Sequence, residues 1–133
     1  MKIILEPAEA ENMFYNALCN IGGQLRSYGI ELELDQDPLA YAKARKRLTD
    51  ANPTCSPCLE DVIMEMLRGG DPLYFVDHDN EGDYSQVVTL AMVHERVQMT
   101  PTENLLRIKA EEDDADDADA ILQTVLYKEI IFG

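Results

Sequence analysis

A run of carboxylates near the C-terminus constrains this chain more than any other feature. Residues 111–120 read EEDDADDADA, and seven of the nine positions from Glu111 to Asp119 are acidic with no base among them. Most of these charges must face solvent, because an unpaired carboxylate is costly to bury. The apolar sequence ILQTVLY follows directly, so the run begins an ordered segment and does not read as a free tail.

The alanines within the run predict a helix over residues 111–126. Ala115, Ala118, Leu122 and Val125 recur at intervals of three and four residues, the spacing of one buried helix face. An aspartate at position 113 or 114 can cap the helix, and acids in its first turn are stabilised by the helix dipole. We therefore expect a fixed interaction array made of Glu111, Glu112, Asp113, Asp114, Asp116, Asp117 and Asp119.

The overall charge indicates what kind of partner such an array would meet. The chain has 26 acidic and 11 basic residues and a formal net charge of −15. Such a surface repels nucleic acid and anionic membranes and attracts basic protein surfaces. On a helix the array would carry one charge per about 2 Å, close to the roughly 1.7 Å of duplex DNA, so nucleic-acid mimicry is a hypothesis.

Four of the eleven bases form one cluster, Lys43, Arg45, Lys46 and Arg47. A solvated helix face explains them. The alternative is that they contact the acidic array of a second copy, which would make the protein a homo-oligomer.

The apolar patterning predicts a single α+β domain over residues 1–133. Short strands are expected at 2–5, 30–34, 73–77 and 84–88, in a mostly antiparallel sheet packed by about five helices. Asp37 and Pro38 predict a helix start, and the glycines at 22 and 23 predict a break in the first helix.

No apolar segment approaches the roughly 20 residues that a membrane-spanning helix needs. The first residues lack the apolar region of a signal peptide, and three cysteines argue for thiols in place of a disulfide framework. We expect a cytoplasmic protein.

A weak metal-binding pattern lies in the sequence DHDNEGD. Asp77, Asp79, Glu81 and Asp83 occupy positions 1, 3, 5 and 7 of an EF-hand loop, and Gly82 stands at position 6. Position 12, which should be glutamate, is Val88. A turn between two strands explains the same residues, so no dedicated metal site and no cofactor are predicted, and weak divalent binding stays an alternative.

Known catalytic signatures are missing from the sequence. Cys55-Ser56-Pro57-Cys58 is similar to a thioredoxin active site, but a loop precedes it where thioredoxin has a buried strand, so inert thiols are expected. His94 and Glu95 are neighbours that do not face each other on a helix. We therefore expect a non-enzymatic protein.

The C-terminal half resembles small accessory proteins of tailed bacteriophages. The resemblance is carried by CLEDVIMEMLRGG, TLAMVHERVQMTP and DDADDADAILQTVLYKEIIFG. It implies a protein that acts in the host bacterial cytoplasm, where small acidic phage proteins block defence or transcription machinery by binding a basic surface. Such an inhibitor or adaptor is our leading hypothesis. The alternatives are a nucleotide-binding or divalent-metal-binding protein and a structural virion or scaffold component.

Overall fold

The computed structural model describes residues 2–133 and has an α+β architecture, as predicted. The described part of the chain forms six α-helices, one 3₁₀ helix and three strands. In chain order these are α1 (Pro7–Ile21), the 3₁₀ helix (Gly22–Tyr28), β1 (Ile30–Glu33), α2 (Pro38–Ala51), α3 (Leu59–Arg68), β2 (Leu73–Asp77), β3 (Gln86–Val88), α4 (Leu90–Val97), α5 (Thr102–Lys109) and α6 (Ala115–Tyr127).

The prediction of a strand at residues 2–5 is wrong. This segment is irregular, and the amide of Leu5 donates to the side-chain oxygen of Gln98 at 3.2 Å, not to a neighbouring strand. Its apolar residues are split, since Leu5 is buried and Ile4 is exposed. The segment therefore anchors one side chain and contributes nothing to the sheet.

The helix and strand bounds also differ in detail from the prediction. Strands expected at 30–34 and 84–88 are shorter, and seven helices replace about five. One extra helix arises because the first helical segment ends at Ile21 and continues as the separate 3₁₀ helix, where the two glycines weaken the α-helical pattern.

The chain divides into two compact units. The first contains the described residues up to Tyr28 together with Ala91–Gly133, and the second contains Gly29–Leu90. In the first unit, α6 packs against α1 and α5, and its own residues from Asp117 to Leu126 are almost all buried. A helix that is buried nearly all round is a core element, and it holds the segments attached to its two ends in place.

Two side chains hold the C-terminal end of α6. Arg96 donates to the carbonyl oxygens of Val125 at 2.9 Å and Leu126 at 3.3 Å, which otherwise lack helical donors. Gln123 is fully buried, and its side-chain oxygen accepts from the amides of Ile131 and Phe132, both at 2.8 Å. The end of the chain is thereby tied to the core helix of this unit.

The second unit is built on an antiparallel sheet in the order β1-β2-β3. Ile30, Leu73, Phe75 and Val88 lie on its buried face. Residues on the opposite face alternate with them and include Glu31, Glu33, Tyr74, Val76 and Val87. Helices α2 and α3 pack against each other, and α3 also contacts β2. Asp37 caps α2 by accepting from the amide of Ala40, as predicted.

Within the described residues, no helix combines the length and the apolar character that crossing a membrane requires.

Gly29 begins the second unit in a conformation that few other residues adopt. Its φ is +84°, and its carbonyl accepts from the amide of His78 at 2.7 Å. A β-carbon at this position would lie 2.6 Å from side-chain atoms of Asp79. The turn into β1 therefore depends on glycine.

We expect Gly29→Ala to lower the free energy of unfolding by about 2 kcal/mol, since alanine at positive φ is strained. Gly23→Ala is the matched control, because a β-carbon there meets nothing within 4 Å. The control should be neutral or slightly stabilising. Urea denaturation of both variants measures this, and equal stability of the two would contradict the argument.

Candidate functional site

The acidic run forms the turn between α5 and α6 and the first turn of α6, and four of its acids precede the helix. The amide of Glu111 donates to the carbonyl of Ile108 at 3.1 Å, and that of Glu112 donates to Arg107 at 2.9 Å. Glu111 itself has a φ of 58°. The helix predicted over 111–126 therefore begins only at Ala115, since the positive φ of Glu111 ends α5 and a new cap is needed to start α6.

Asp114 and Asp117 form the cap of α6. The side chain of Asp114 accepts from the amides of Asp116 at 3.0 Å and Asp117 at 3.2 Å. In return, the carboxylate of Asp117 accepts from the amide of Asp114 at 3.1 Å. This reciprocal arrangement is a capping box, and it satisfies amides that the helix leaves without partners.

Asp117 is the exception within the predicted array, because it is buried and not available to a partner. The side chain of Asp117 is 0% exposed, and it accepts from Arg107 Nη2 at 2.7 Å, Arg107 Nε at 2.9 Å and Asn104 Nδ2 at 2.8 Å. The hydrogen bonds from Arg107 are the main cause that lowers the pKa of Asp117 to about 2, against the opposing effect of burial. The carboxylate thus joins α5 to α6.

Asp119 is also engaged inside its own unit. Its Oδ2 accepts from the side-chain nitrogen of Gln123 at 2.7 Å and from the hydroxyl of Tyr28 at 3.1 Å. Burial, and next to it the charge of Asp119, raises the pKa of Tyr28. Asp119 therefore supports the packing near the end of the chain, where Tyr28 stacks on Phe132 with ring centroids 4.7 Å apart.

Four of the seven predicted residues remain as an exposed group without an ion-pair partner among the described residues. We call Glu111, Glu112, Asp113 and Asp116 the acidic surface. All four side chains face solvent, and they sit on backbone fixed by the α5–α6 turn and the cap of α6.

A cleft of about 170 Å³ lies beside the acidic surface. Its apolar lining comes from Met13, Ala17, Ile108, Ala118 and Ile121. Asn16, Asn20, Glu111 and Asp113 complete the lining with polar groups. An apolar cleft with two carboxylates at its rim suits an amphipathic cation, such as the side chain of lysine or arginine.

Nucleic-acid mimicry would need further acids to continue the array, and two acids of α1, Glu9 and Glu11, are already engaged. Glu9 lies 3.5 Å from Lys109 Nζ, and Glu11 lies 2.9 Å from His94 Nε2, so these two carboxylates already face cationic or donor groups. Three of the four exposed acids precede the helix, so the group lacks the regular helical rise on which the comparison with DNA depends.

The basic cluster on α2 is only partly available for self-association. Lys46 pairs with Asp50 at 2.7 Å, and Arg47 pairs with Glu65 at 2.9 Å while also donating to the Glu65 carbonyl at 3.2 Å. Lys43 and Arg45 are exposed. Two of the four cations thus have intramolecular roles, and docking of a second copy stays a prediction.

The half EF-hand does not form in the loop after β2. Asp77 is 4% exposed, and its carboxylate accepts from the amides of Asp79, Asn80 and Tyr84, each at 3.0 Å. Burial raises the pKa of Asp77, but these hydrogen bonds together hold it below its usual value. Asp77 therefore shapes the loop, and Asp79, Glu81 and Asp83 are exposed residues around it.

A different group of metal-ligating side chains comes together next to this loop. His78 Nε2 lies 2.9 Å from Glu33 Oε1 and 3.5 Å from Glu31 Oε2. One ligand atom from each of the three residues lies within 4.8 Å of the other two. The sequence alone does not predict this cluster, because Glu31 and Glu33 are far from His78 along the chain. Apolar and acidic residues alternate in IELEL at residues 30–34, which places both glutamates on one face of a strand, but only the pairing of β1 with β2 adds the histidine.

The three cysteines are exposed thiols. Cys55 accepts a hydrogen bond from the side-chain nitrogen of Asn52 at 3.2 Å, and Cys58 stands at the N-cap of α3. Helix α3 begins at Leu59, the residue after Cys58. Because a loop precedes Cys55, the surroundings of a thioredoxin site are not reproduced.

Comparison of the chain with models of protein families, with curated proteins and with solved structures found no match.

The Asp117 carboxylate gives a pH-dependent prediction. Its pKa falls from 3.8 to about 2 on folding, which corresponds to roughly 2 kcal/mol of stability. Because the folded pKa is the lower one, this contribution is complete above about pH 4 and is lost as the pH falls towards 2. We therefore expect Asp117→Asn to be destabilised at neutral pH and the difference from wild type to shrink across this window.

Urea denaturation at several pH values measures this difference. Asp116→Asn is the control, since Asp116 is exposed one position earlier in the same helix turn. It should change stability by less than about 1 kcal/mol. If Asp116→Asn and Asp117→Asn lower the free energy of unfolding by the same amount, Asp117 does not hold the two helices together.

Proposed function

We propose that the protein is a non-enzymatic interaction protein whose acidic surface binds a basic surface on a partner protein. The observation that carries this proposal is that four neighbouring exposed carboxylates, Glu111, Glu112, Asp113 and Asp116, lack ion-pair partners among the described residues. They also sit on a turn that hydrogen bonds hold in place. Fixed like charges favour a partner of opposite charge and speed its encounter.

The fixed position of these carboxylates matters for the proposal. A flexible acidic tail loses conformational entropy when a partner orders it, and that loss weakens binding. Here the Arg107–Asp117 ion pair and the capping box have already ordered the backbone on the helical side of the acidic surface. The electrostatic attraction is therefore not offset by the cost of folding the segment.

The cleft suggests which part of the partner is recognised. Glu111 and Asp113 lie at the rim of an apolar lining that includes Met13 and Ile121. The methylene groups of an arginine or lysine would contact this lining, while the cation would reach the carboxylates. A single inserted basic side chain of this kind would act as the anchor of the interface.

The resemblance to accessory proteins of tailed bacteriophages supports a role in which the protein binds a host protein. A phage protein of this kind would act in the bacterial cytoplasm as an inhibitor or adaptor, and its partner would belong to host defence or transcription machinery. Such machinery offers basic nucleic-acid-binding surfaces of the kind an acidic surface complements.

Neutralising the acidic surface should weaken binding to a basic probe. The test variant carries Glu111→Gln, Glu112→Gln, Asp113→Asn and Asp116→Asn, and the probe is a fluorescent peptide of alternating arginine and glycine. Fluorescence anisotropy should show an affinity about tenfold lower or more, and wild-type binding should itself fall as salt rises from about 0.05 to about 0.15 M.

The matched control carries Asp35→Asn, Glu81→Gln, Asp83→Asn and Glu129→Gln, which removes the same number of charges from exposed positions elsewhere. Its affinity should stay close to that of wild type. Equal losses in the two variants would show that net charge alone attracts the peptide, and the proposal would fail.

A cation placed beside the cleft should compete with the partner. Asn16 is exposed on α1 and lines the cleft, so Asn16→Arg brings a guanidinium next to Glu111 and Asp113. Asn12→Arg makes the same change at an exposed position of the same helix outside the cleft lining. We expect the first variant to bind the arginine peptide several-fold more weakly than the second. Equal affinities would remove the cleft from the proposal while leaving the acidic surface in it.

A further inference from the structure

The second unit carries a cluster of three potential metal ligands that the acidic interaction surface does not use. Glu31 and Glu33 project from one face of β1, and His78 directly follows β2. The antiparallel register pairs Ile30 with Asp77, so the residue after Asp77 comes to lie beside the start of β1. The amide of His78 donates to the Gly29 carbonyl at 2.7 Å, which extends this pairing by one step.

The separations of the donor atoms match those around a bound metal ion. Metal–ligand bonds of about 2.0–2.2 Å at right or tetrahedral angles leave neighbouring ligands roughly 2.9–3.5 Å apart. His78 Nε2 lies 2.9 Å from one glutamate oxygen and 3.5 Å from the other. The oxygens of the two glutamates lie within 4.8 Å of each other, and rotation of one glutamate side chain would bring them to the separation that a shared ion requires.

Strands and an ordered loop fix the backbone that carries these donors. Both glutamates belong to a paired strand, and the buried Asp77 carboxylate holds the loop after His78 through three amides. Ligands carried on such elements need little reorganisation when an ion binds. The side chain of His78 is 49% exposed and that of Glu31 is 41% exposed, so the remaining coordination positions are open to water or a ligand.

The second histidine of the chain shows how the group at His78 differs from a simple histidine–glutamate hydrogen bond. This residue, His94, also lies 2.9 Å from a glutamate oxygen, that of Glu11. A single histidine–glutamate pair is thus an ordinary hydrogen bond here. Among the described residues, only the group at His78 brings three such ligands within 4.8 Å of one another.

We propose that Glu31, Glu33 and His78 form a binding site for a divalent transition-metal ion. One imidazole nitrogen and two carboxylates suit ions from Mn²⁺ to Zn²⁺ better than Mg²⁺ or Ca²⁺, which prefer oxygen ligands alone. This ligand set differs from the weak candidates Asp77, Asp79, Glu81 and Asp83 that the sequence offered, and it is independent of the acidic surface.

The probe that tests the site is Mn²⁺, because it binds thiols weakly and so avoids the exposed cysteines. Small amounts of Mn²⁺ added to ¹⁵N-labelled protein broaden the amide signals nearest to the bound ion. We expect broadening centred on residues 31, 33 and 78. Broadening centred on residues 111–116, or none at millimolar Mn²⁺, would overturn the proposal.

Variants separate the three-ligand site from general attraction of cations to an acidic protein. Zn²⁺ titration calorimetry in a background with all three cysteines changed to serine should give one ion per chain. His78→Gln should then weaken binding about tenfold or more, as expected for the loss of a ligand. His94→Gln should leave the affinity unchanged.

Equal affinities of the two histidine variants would also overturn the proposal. Glu31→Gln is a second ligand variant in case His78→Gln disturbs the fold, since it keeps the size of the side chain and removes one charged donor. Its expected loss of affinity is of the same order, and an amide spectrum like that of wild type shows that it has folded.

Discussion

The ion pair between Arg107 and the buried carboxylate of Asp117 is the interaction on which the acidic surface depends. The Asp117 carboxylate accepts hydrogen bonds from Arg107, from Asn104 and from the backbone amide of Asp114. It therefore joins α5, α6 and the turn between them at one point. Its burial is tolerated because every one of these donors favours the charged form. The remaining acids can then crowd the same turn, since the backbone that carries them is already fixed.

This arrangement separates the aspartates that hold the backbone from those of the acidic surface. Asp114 and Asp117 cap α6, and Asp117 also joins it to α5, whereas Asp113 and Asp116, one position before each, belong to the acidic surface. The same division appears in the second unit, where Asp77 shapes a loop from the inside and His78 next to it faces two glutamates. In both places a buried carboxylate that accepts several hydrogen bonds positions the exposed groups beside it.

The sequence predicted the local features well and the long-range contacts poorly. The alternation of IELEL, the cap at Asp37 and the break after Ile21 are each determined by neighbouring residues, and the structure confirms them. The strand at residues 2–5 was wrong because its apolar residues anchor a side chain and find no partner strand. The burial of Asp117 depends on Arg107, and the cluster at His78 depends on the pairing of two strands far apart in the chain. Neither contact follows from periodicity, although the spacing of Asp114 and Asp117 was itself readable as a capping box.

The exposed acids are carried on an ordered turn, and backbone relaxation of ¹⁵N-labelled protein tests this order most directly. We expect order parameters for residues 111–116 close to those of α6, about 0.85, as for rigid backbone. Values below about 0.6 would mean that the segment is flexible on the nanosecond timescale. The acids would then lie on a mobile loop, and the acidic surface would not be preorganised.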